Sequence, residues 1–324
     1  MEDPRDNYLK NVDFNDIEVR EYPKIAFLCG GNPDVLSDRD ATPPTKQYFP
    51  SVRSYVSRLL TIMNPGLQYK NAEDVKDWNS YSAYDDLIEF EKDIAHICKA
   101  IVLFVEGPGS IAELGSFAMI PEITEKLIVF AHSDYSNPVS YISLGPLKKI
   151  DSARQDRIHY ITWKMDEITL NSEEVTVVLA ESMDEWGPYA CDSIKSFVDE
   201  RHHMEHASNE YKRTKEALYI HDIVSLFKAV SEPEIDKYFK SANHKINGAD
   251  ITRSLFCLEK LELIRPINRG NKIFYVPNDP SSGRYLSLNS NMDSARLAFQ
   301  LNEYYKHHSQ LARREAINAV TGGG

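Results

Sequence analysis

AIVLFVEGPGSIAELGSFA, residues Ala100 to Ala118, decides the reading of this chain. Ala100 and the run Ile101 to Val105 are apolar or β-branched without interruption, the pattern of a parallel strand buried on both faces, and the run stops at Glu106. Gly107, Pro108 and Gly109 then turn the backbone with no side-chain bulk. Ser110 stands where the N-cap of a following helix is expected, with Glu113 three residues later at the capping-box position. A strand end, a glycine turn and a helix start place free N–H groups over a crevice, and such crevices are where open α/β sheets bind ligands. Glu113 has two readings on local pattern: a capping carboxylate, or a carboxylate aimed into the crevice beside Glu106.

Working outward, the segments on either side repeat the same logic. Lys24 to Gly30, KIAFLCG, reads as a first parallel strand ending in a glycine turn, Cys29-Gly30-Gly31-Asn32, which is either a plain tight turn or part of a pocket. Pro43 and Pro44 are expected to open a helix running through Met63, and Leu67 to Asn71 is expected to be a strand. A helix from about Tyr84 to Cys98 should turn Leu87, Ile88, Ile94 and Ile97 to the sheet. Beyond the motif helix, which Pro121 is expected to truncate or kink, Lys126 to Ala131 and Arg157 to Trp163 supply two more strands, and Tyr141 to Ile150 a turn before a short helix. Strands alternating with helices predict an α/β domain, a parallel sheet flanked by helices.

Composition sets the outer limits. The 324 residues are 42% hydrophobic and 27% charged with a net charge of -12, which argues against a chain coated in nucleic acid. No run approaches the roughly 20 apolar residues of a membrane span, and MEDPRDNYLKNVDFND is too polar for a signal peptide, so a cytoplasmic location without membrane contact is expected. Cys29, Cys98, Cys191 and Cys257 show no metal or disulfide spacing, and Cys29 and Cys98 lie in or beside apolar runs as buried thiols. His202, His203 and His206 have the spacing of one helix face, but no further ligand follows at a recognisable interval, and a solvated face is the favoured reading.

The second half changes character. Glu173 to Glu205 reads as helical with a strand-like start at Val175 to Leu179. Asp222 to Val230, Glu232 to Ser241 and Gly248 to Leu263 read as three helices, and Ile264 to Asn278 as a hairpin turning at Arg269-Gly270-Asn271. This is a winged-helix pattern, a smaller α+β domain, with Arg253 and Lys260 expected on the exposed face of the third helix and Arg269 and Lys272 at the wing tip. Between Glu205 and Asn278 stand 12 basic and 10 acidic residues, so the excess acid lies elsewhere and this segment could meet phosphates through Arg253, Arg269 and Lys272. Winged helices equally often pair proteins. Tyr285 to Val320 is expected to form one C-terminal helix, and Gly322-Gly323-Gly324 is set aside as tail.

The run GSIAELGSFA resembles the motif of nucleoside 2-deoxyribosyltransferases, in which a glutamate followed by Leu-Gly and an aromatic residue attacks the anomeric carbon, and more distantly that of cytokinin-activating phosphoribohydrolases. The resemblance implies Glu113 as nucleophile. It implies Asp93, near the end of the helix before the motif strand, as the residue that assists the leaving base, although the interval to that strand is shorter here by about one residue and a solvated helix face is the other explanation. It further implies a nucleotide pocket of Cys29, Gly30, Gly31, Asn32, Glu106, Gly107, Gly109 and Ser110.

The combination with a winged helix resembles the effector proteins of bacterial retrons, which carry FLCGG in the first strand, matched within Ile25 to Gly31, and PGSxxELGxF, matched at Pro108 to Phe117. That resemblance implies an N-glycosidase toxin acting in anti-phage defence, NAD as the substrate, no cofactor and no metal. It also implies a reverse transcriptase with its branched DNA-RNA (msDNA) as partners, in a larger complex that can include further copies of this chain. The expected organisation is an extension (1–20), a catalytic domain (21–168), a helical connector (169–216), a winged helix (217–280) and a C-terminal helix and tail (281–324). Two alternatives stay open: a nucleoside monophosphate phosphoribohydrolase, against which no arginine lies between Arg58 and Arg154, and a nucleotide-sensing transcriptional regulator in which Glu113 only caps a helix.

Overall fold

The computed structural model describes residues 2–37, 46–75, 84–153, 155–200, 209–281, 283–307 and 310–321. In chain order the principal elements are β1 (Ile25–Cys29), α1 (Val52–Met63), β2 (Gln68–Asn71), α2 (Leu87–Ile97), β3 (Ala100–Val105), α3 (Pro108–Phe117), β4 (Leu127–His132) and β5 (Ile158–Ile161). There follow the hairpin β6 (Met165–Leu170) and β7 (Glu173–Val178), then α4 (Trp186–Asp199), α5 (Asn209–Phe227), α6 (Glu232–Ser241) and α7 (Gly248–Lys260). The hairpin β8 (Ile264–Arg269) and β9 (Lys272–Pro277) precedes α8 (Ser294–His307) and α9 (Leu311–Thr321). They group into two compact units: a sheet unit, Pro23–Lys76 with Cys98–His206, and a helical unit, Met1–Tyr22 with Asp77–Ile97 and Ala207–Gly324.

In the sheet unit five strands run parallel in the order β2-β1-β3-β4-β5, flanked by helices, as the α/β expectation required. The chain passes from β1 to β2 on one side and then to β3 on the other, so the winding reverses between β1 and β3 and opens a crevice at their carboxyl ends. Every residue of β1 and β3 is buried, which is why both read as unbroken apolar runs. On one face Leu28, Val102, Phe104 and Phe130 meet Val56 and Leu60 of α1 and Ile194 and Phe197 of α4. On α3, Ser110, Leu114 and Phe117 form the buried stripe, and this helix packs against β3.

Several local expectations are corrected. The helix predicted from Pro43 and Pro44 begins only at Val52, because Ser51 accepts the N–H of Ser54 at 2.9 Å while Ser54 Oγ accepts that of Ser51 at 3.2 Å, a reciprocal cap. Pro43 and Pro44 themselves lie outside the described residues, as do His202, His203, His206 and the terminal glycines. Ser110 is not an N-cap: α3 starts at Pro108, its cap is Gly107, and Ser110 sits one turn in, accepting the N–H of Gly107 at 3.0 Å. Pro121 opens a short helix, Pro121–Thr124, at its first turn and does not kink α3.

The strand-like start within 173–205 is a full strand. β6 and β7 pair antiparallel from Met165↔Val178 to Leu170↔Glu173, and Asn171 and Ser172 both take positive φ, 52° and 68°, as a two-residue turn between twisted strands demands.

In the helical unit α5 is the central element, with Leu218, Tyr219, Ile220, Ile223 and Val224 fully buried. It begins well before the expected Asp222 and ends at Phe227. α7 and the β8–β9 hairpin pack on it, and the hairpin closes at Arg269↔Lys272 through Gly270 at φ +58°. The buried Asp222 carboxylate accepts the backbone N–H groups of Tyr285 and Leu286 at 3.1 and 2.9 Å, fastening the segment before α8. The expected single C-terminal helix is two, α8 and α9. α2 also belongs to this unit and packs on α5; Ile94 and Ile97 are buried with Phe90, whereas Leu87 and Ile88, expected on the buried face, are exposed.

All four cysteines are buried thiols outside any disulfide. Among the described residues no helix is long and apolar enough to cross a membrane, and no group of three or more His, Cys, Asp or Glu side chains could hold a metal ion.

Candidate active site

The site forms at the carboxyl ends of β1 and β3, where the winding reverses. After β1 the chain turns at Gly30, whose φ of +139° lies outside the range of L side chains, and a Cβ there would meet the Phe104 carbonyl oxygen at 2.7 Å. The neighbouring Gly31 lies so close to α1 that its Cβ would meet that of Ser51 at 2.6 Å. The first glycine turn is thus pressed against both β3 and the start of α1.

Glu106 holds the three segments together. Its carboxylate accepts backbone N–H groups from Val52 at 2.6 Å, Arg53 at 3.0 Å and Gly31 at 3.4 Å, placing a negative charge at the amino end of α1. Burial pushes this carboxyl up, against the three donors that favour the anion. Ser110 Oγ accepts the N–H of Glu106 at 2.9 Å and that of Gly107, so the second glycine turn is tied to the end of β3.

Arg53 carries no signal in the sequence that would have singled it out. Its side chain is fully buried; the guanidinium donates to the carbonyls of Leu28, at 3.1 Å, and Gly31, and pairs with Glu73 at 2.6 Å. On α3, Glu113 lies on the second turn and does not cap the helix. Its Oε2 is buried without a hydrogen-bond partner, as is Oε2 of Glu73. Burial pushes the Glu113 carboxyl up to about 7; Arg53 pulls it down, and the Glu73 carboxylate pushes with burial. An acid poised at neutrality with one enclosed, unbonded oxygen is a candidate for chemistry.

A cleft of about 260 Å³ opens beside this cluster. Of the pocket residues expected from sequence, Gly30, Gly31, Glu106, Gly107, Gly109 and Ser110 line it, joined by Pro50, Ser51, Trp163 and Met165, which sequence reasoning did not single out. Cys29 is instead buried in the sheet, and Asn32 is exposed, its carbonyl accepting from Ser51 Oγ at 2.6 Å. Glu113 is not among the described residues that line the cleft.

Asp93 lies in the helical unit. Its carboxylate accepts from Tyr84 Oη at 2.9 Å and pairs with Arg213 at 3.2 Å, and burial raises its pKa. Arg253, expected to be exposed, is mostly buried: it pairs with Glu89 at 3.0 Å and lies over the Tyr84 ring. At the hairpin tip Lys272 is exposed, and Arg269 donates to the Asn268 carbonyl at 2.8 Å.

Residues 50–266 match the model of the STM3845 retron effector protein family, and the chain belongs to that family. It is 33% identical over 86 residues to a protein of Escherichia coli described as "Retron Ec73 putative ribosyltransferase/DNA-binding protein", a match covering 26% of this chain and 27% of the relative. It is 34% identical over 122 residues to "Retron Ec86 putative ribosyltransferase/DNA-binding protein" of the same organism, covering 38% of this chain and 36% of the relative. The chain thus spans about a third or less of the length of these curated relatives.

Proposed function

We propose that this chain is the toxin subunit of a retron anti-phage defence system and hydrolyses the N-glycosidic bond of NAD or a related nucleotide at Glu113. The observation that carries the reading is the Glu113 carboxyl: half-buried, with one oxygen enclosed without a hydrogen-bond partner, poised at about 7 and one helical turn beyond a glycine turn at the winding reversal. The relatives' names, with ribosyl transfer and DNA binding in them, support the same direction.

In this scheme the bond between the base nitrogen and the anomeric carbon breaks, and the base departs with the bonding pair. The carbon left behind carries oxocarbenium character, and the ionised Glu113 either bonds to it or stabilises its positive charge. A partly desolvated carboxylate gains more than a fully hydrated one from a cation that exists only in the transition state, which is how it lowers the barrier. Water then adds to the same carbon, displacing the Glu113 carboxylate where it had bonded, and gives up one proton to solvent. Backbone N–H groups of the two glycine turns hold phosphate or ribose, and no residue of the scheme calls for a metal.

The phosphoribohydrolase alternative needs an arginine free to hold a phosphate. Arg53 stands at the right place, but it is fully buried and bonded to two carbonyls and Glu73, so it organises the glycine turn. Glu113 does not cap its helix, whose N-cap is Gly107 and whose third position is Ser110, so the nucleotide-sensing regulator alternative would leave this carboxyl without a role.

In the helical unit, three helices followed by a hairpin support the winged-helix reading, and Arg269 and Lys272 at the tip are proposed to meet the phosphates of a branched DNA-RNA held by a reverse transcriptase. That association would keep the toxin silent. The direct test incubates the purified chain, alone and with these partners, with NAD, AMP and deoxynucleosides. Release of nicotinamide from NAD is expected; release of base from AMP alone would favour the phosphoribohydrolase, and no release from any of them would overturn an enzymatic role.

A further inference from the structure

A winged helix that reads duplex DNA lays its third helix in the major groove, where the first turns meet the base edges. In this chain the face of α7 that carries Arg253 and Phe256 is already covered. Phe256 meets the rings of Phe90 and Tyr84 at 5.8 and 6.1 Å between centroids, Arg253 pairs with Glu89, and the Cys257 thiol lies 3.0 Å from Tyr84 Oη. All of these partners belong to α2 or to Tyr84 just before it. What α7 leaves exposed is Gly248, Ala249 and Thr252, beside the half-buried Asp250. None of the three can make a bidentate contact with a base, and the Asp250 carboxylate repels phosphate.

The hairpin side of the same unit is open. Val230 bridges antiparallel to Tyr275, and α9 lies against both hairpin strands, its Ala316 packed with Ala229, Phe274 and Val276. Between the hairpin tip and the first turn of α9 runs a groove of about 650 Å³. That is within the range of roughly 300–1,000 Å³ that takes a ligand the size of a nucleotide. Among the described residues that line it, the cations are Arg269, Lys272 and Arg313, and the carboxylate is Glu234. Glu234 is shared between Arg313 at 2.6 Å and Arg5 at 2.7 Å, so the groove is net positive in a chain of net charge -12. Arg313 is fixed in its floor: it lies over the Phe274 ring at 4.9 Å and donates to the Ala229 carbonyl. Leu311, 63% exposed, adds an apolar surface to the opposite wall.

Building on the winged-helix reading above, we infer that this groove is the nucleic-acid site of the helical unit and that it takes an unpaired strand, with phosphates against Arg269 and Lys272 and one base against Leu311. A duplex is convex and too broad to enter between the hairpin tip and α9, whereas a strand with an unstacked base can follow such a groove. Preference for a single-stranded tail therefore resides in the groove, and α7 supplies no base contact.

Fluorescence anisotropy with the full chain tests this on three DNA probes: a blunt duplex, the same duplex with a single-stranded tail, and the tail strand alone. The tailed duplex is expected to bind roughly tenfold more tightly than the blunt one, the scale of one base held. Leu311→Gln, a neutral change at an exposed position, should remove most of that gain and leave blunt-duplex binding as in wild type. Arg269→Ala with Lys272→Ala should weaken all three probes, and Thr252→Ala none. Equal affinity for blunt and tailed probes, or equal losses on both in Leu311→Gln, would overturn the groove and leave the winged-helix reading standing. A loss in Thr252→Ala would return base contact to α7 and overturn the groove as well. Binding of none of the probes at low salt would overturn both readings and leave the groove to a protein partner.

Discussion

The Glu106 carboxylate accepts the backbone N–H of Val52 at 2.6 Å, joining the end of β3 to the first residue of α1. With the N–H of Arg53 it satisfies two of the orphan donors at the start of α1. Glu106→Gln keeps the shape and gives up the charge, and charged hydrogen bonds of this kind contribute about 1.5–3 kcal/mol. Chemical denaturation should show a loss of that order, with base release falling as the first glycine turn loosens. Unchanged stability would mean that the carboxyl is held neutral and only fills space.

Gly30→Ala should be worse. The new methyl would have to sit at φ +139° and 2.7 Å from the Phe104 carbonyl oxygen, a backbone neighbour that cannot swing away. Strain and overpacking together predict a loss on the order of 3 kcal/mol by denaturant melts. A variant as stable as wild type would show that the turn can take another conformation.

Glu113 links the site to the pH dependence of stability. Its folded pKa, about 7, is raised from 4.5, so its favourable contribution is full below about 4.5 and is lost as pH rises through about 7. Glu113→Gln removes the buried charge that forms above that point. Relative to wild type it should gain stability between pH 6 and 8, on the order of 2 kcal/mol after allowance for partial solvent contact, and little or nothing at pH 4.5. Melting curves across that range check it; a gain equal at every pH would place the cause in packing.

Asp93→Asn keeps the hydrogen bond from Tyr84 but removes the charge paired with Arg213. Breaking a mostly buried pair from one side should destabilise the helical unit, by about 3 kcal/mol at most given that Arg213 is partly exposed, and leave kcat for base release unchanged. A lower kcat with unaltered stability would give Asp93 the role in base departure that its place before the motif strand suggests.

Arg269→Ala with Lys272→Ala should flatten the salt dependence of association with branched DNA-RNA by about 0.7–0.9 units of slope for each phosphate no longer neutralised. Arg253→Ala should instead lower stability, since its partners are Glu89 and the Tyr84 ring. If Arg253→Ala alone alters the slope while the wing variants do not, nucleic acid meets the helix and not the hairpin.

What was legible in the sequence was whatever a local pattern carries. β1 and β3 are buried on both faces and so appear as unbroken apolar runs, and the glycine turns and Glu113 follow directly from their ends. The β8–β9 hairpin announced itself through Arg269-Gly270-Asn271. The β6–β7 hairpin did not, because MDEITL and EEVTVV are mostly exposed and acidic and the turn between them is Asn-Ser with no glycine. Arg53 was beyond local reading for a different reason. In VRSYVSRLL nothing separates it from Arg58, yet one is fully buried under the Gly31 turn and the other is exposed, a difference made only by the carbonyls of Leu28 and Gly31 and the carboxylate of Glu73. Trp163 looked like the last residue of a strand; its role as a wall depends on His132, which reaches it from the neighbouring strand.

The central claim is that Glu113 breaks the glycosidic bond, and the most direct measurement is nicotinamide release from NAD by wild type and Glu113→Gln under identical conditions, with melting curves confirming that both are folded. Loss of a nucleophile or charge stabiliser at the reacting carbon should lower the rate by roughly a thousandfold or more. A folded Glu113→Gln protein that keeps more than about a tenth of wild-type release, equivalent to less than about 1.4 kcal/mol of barrier, would contradict the account and move the chemistry to another carboxylate.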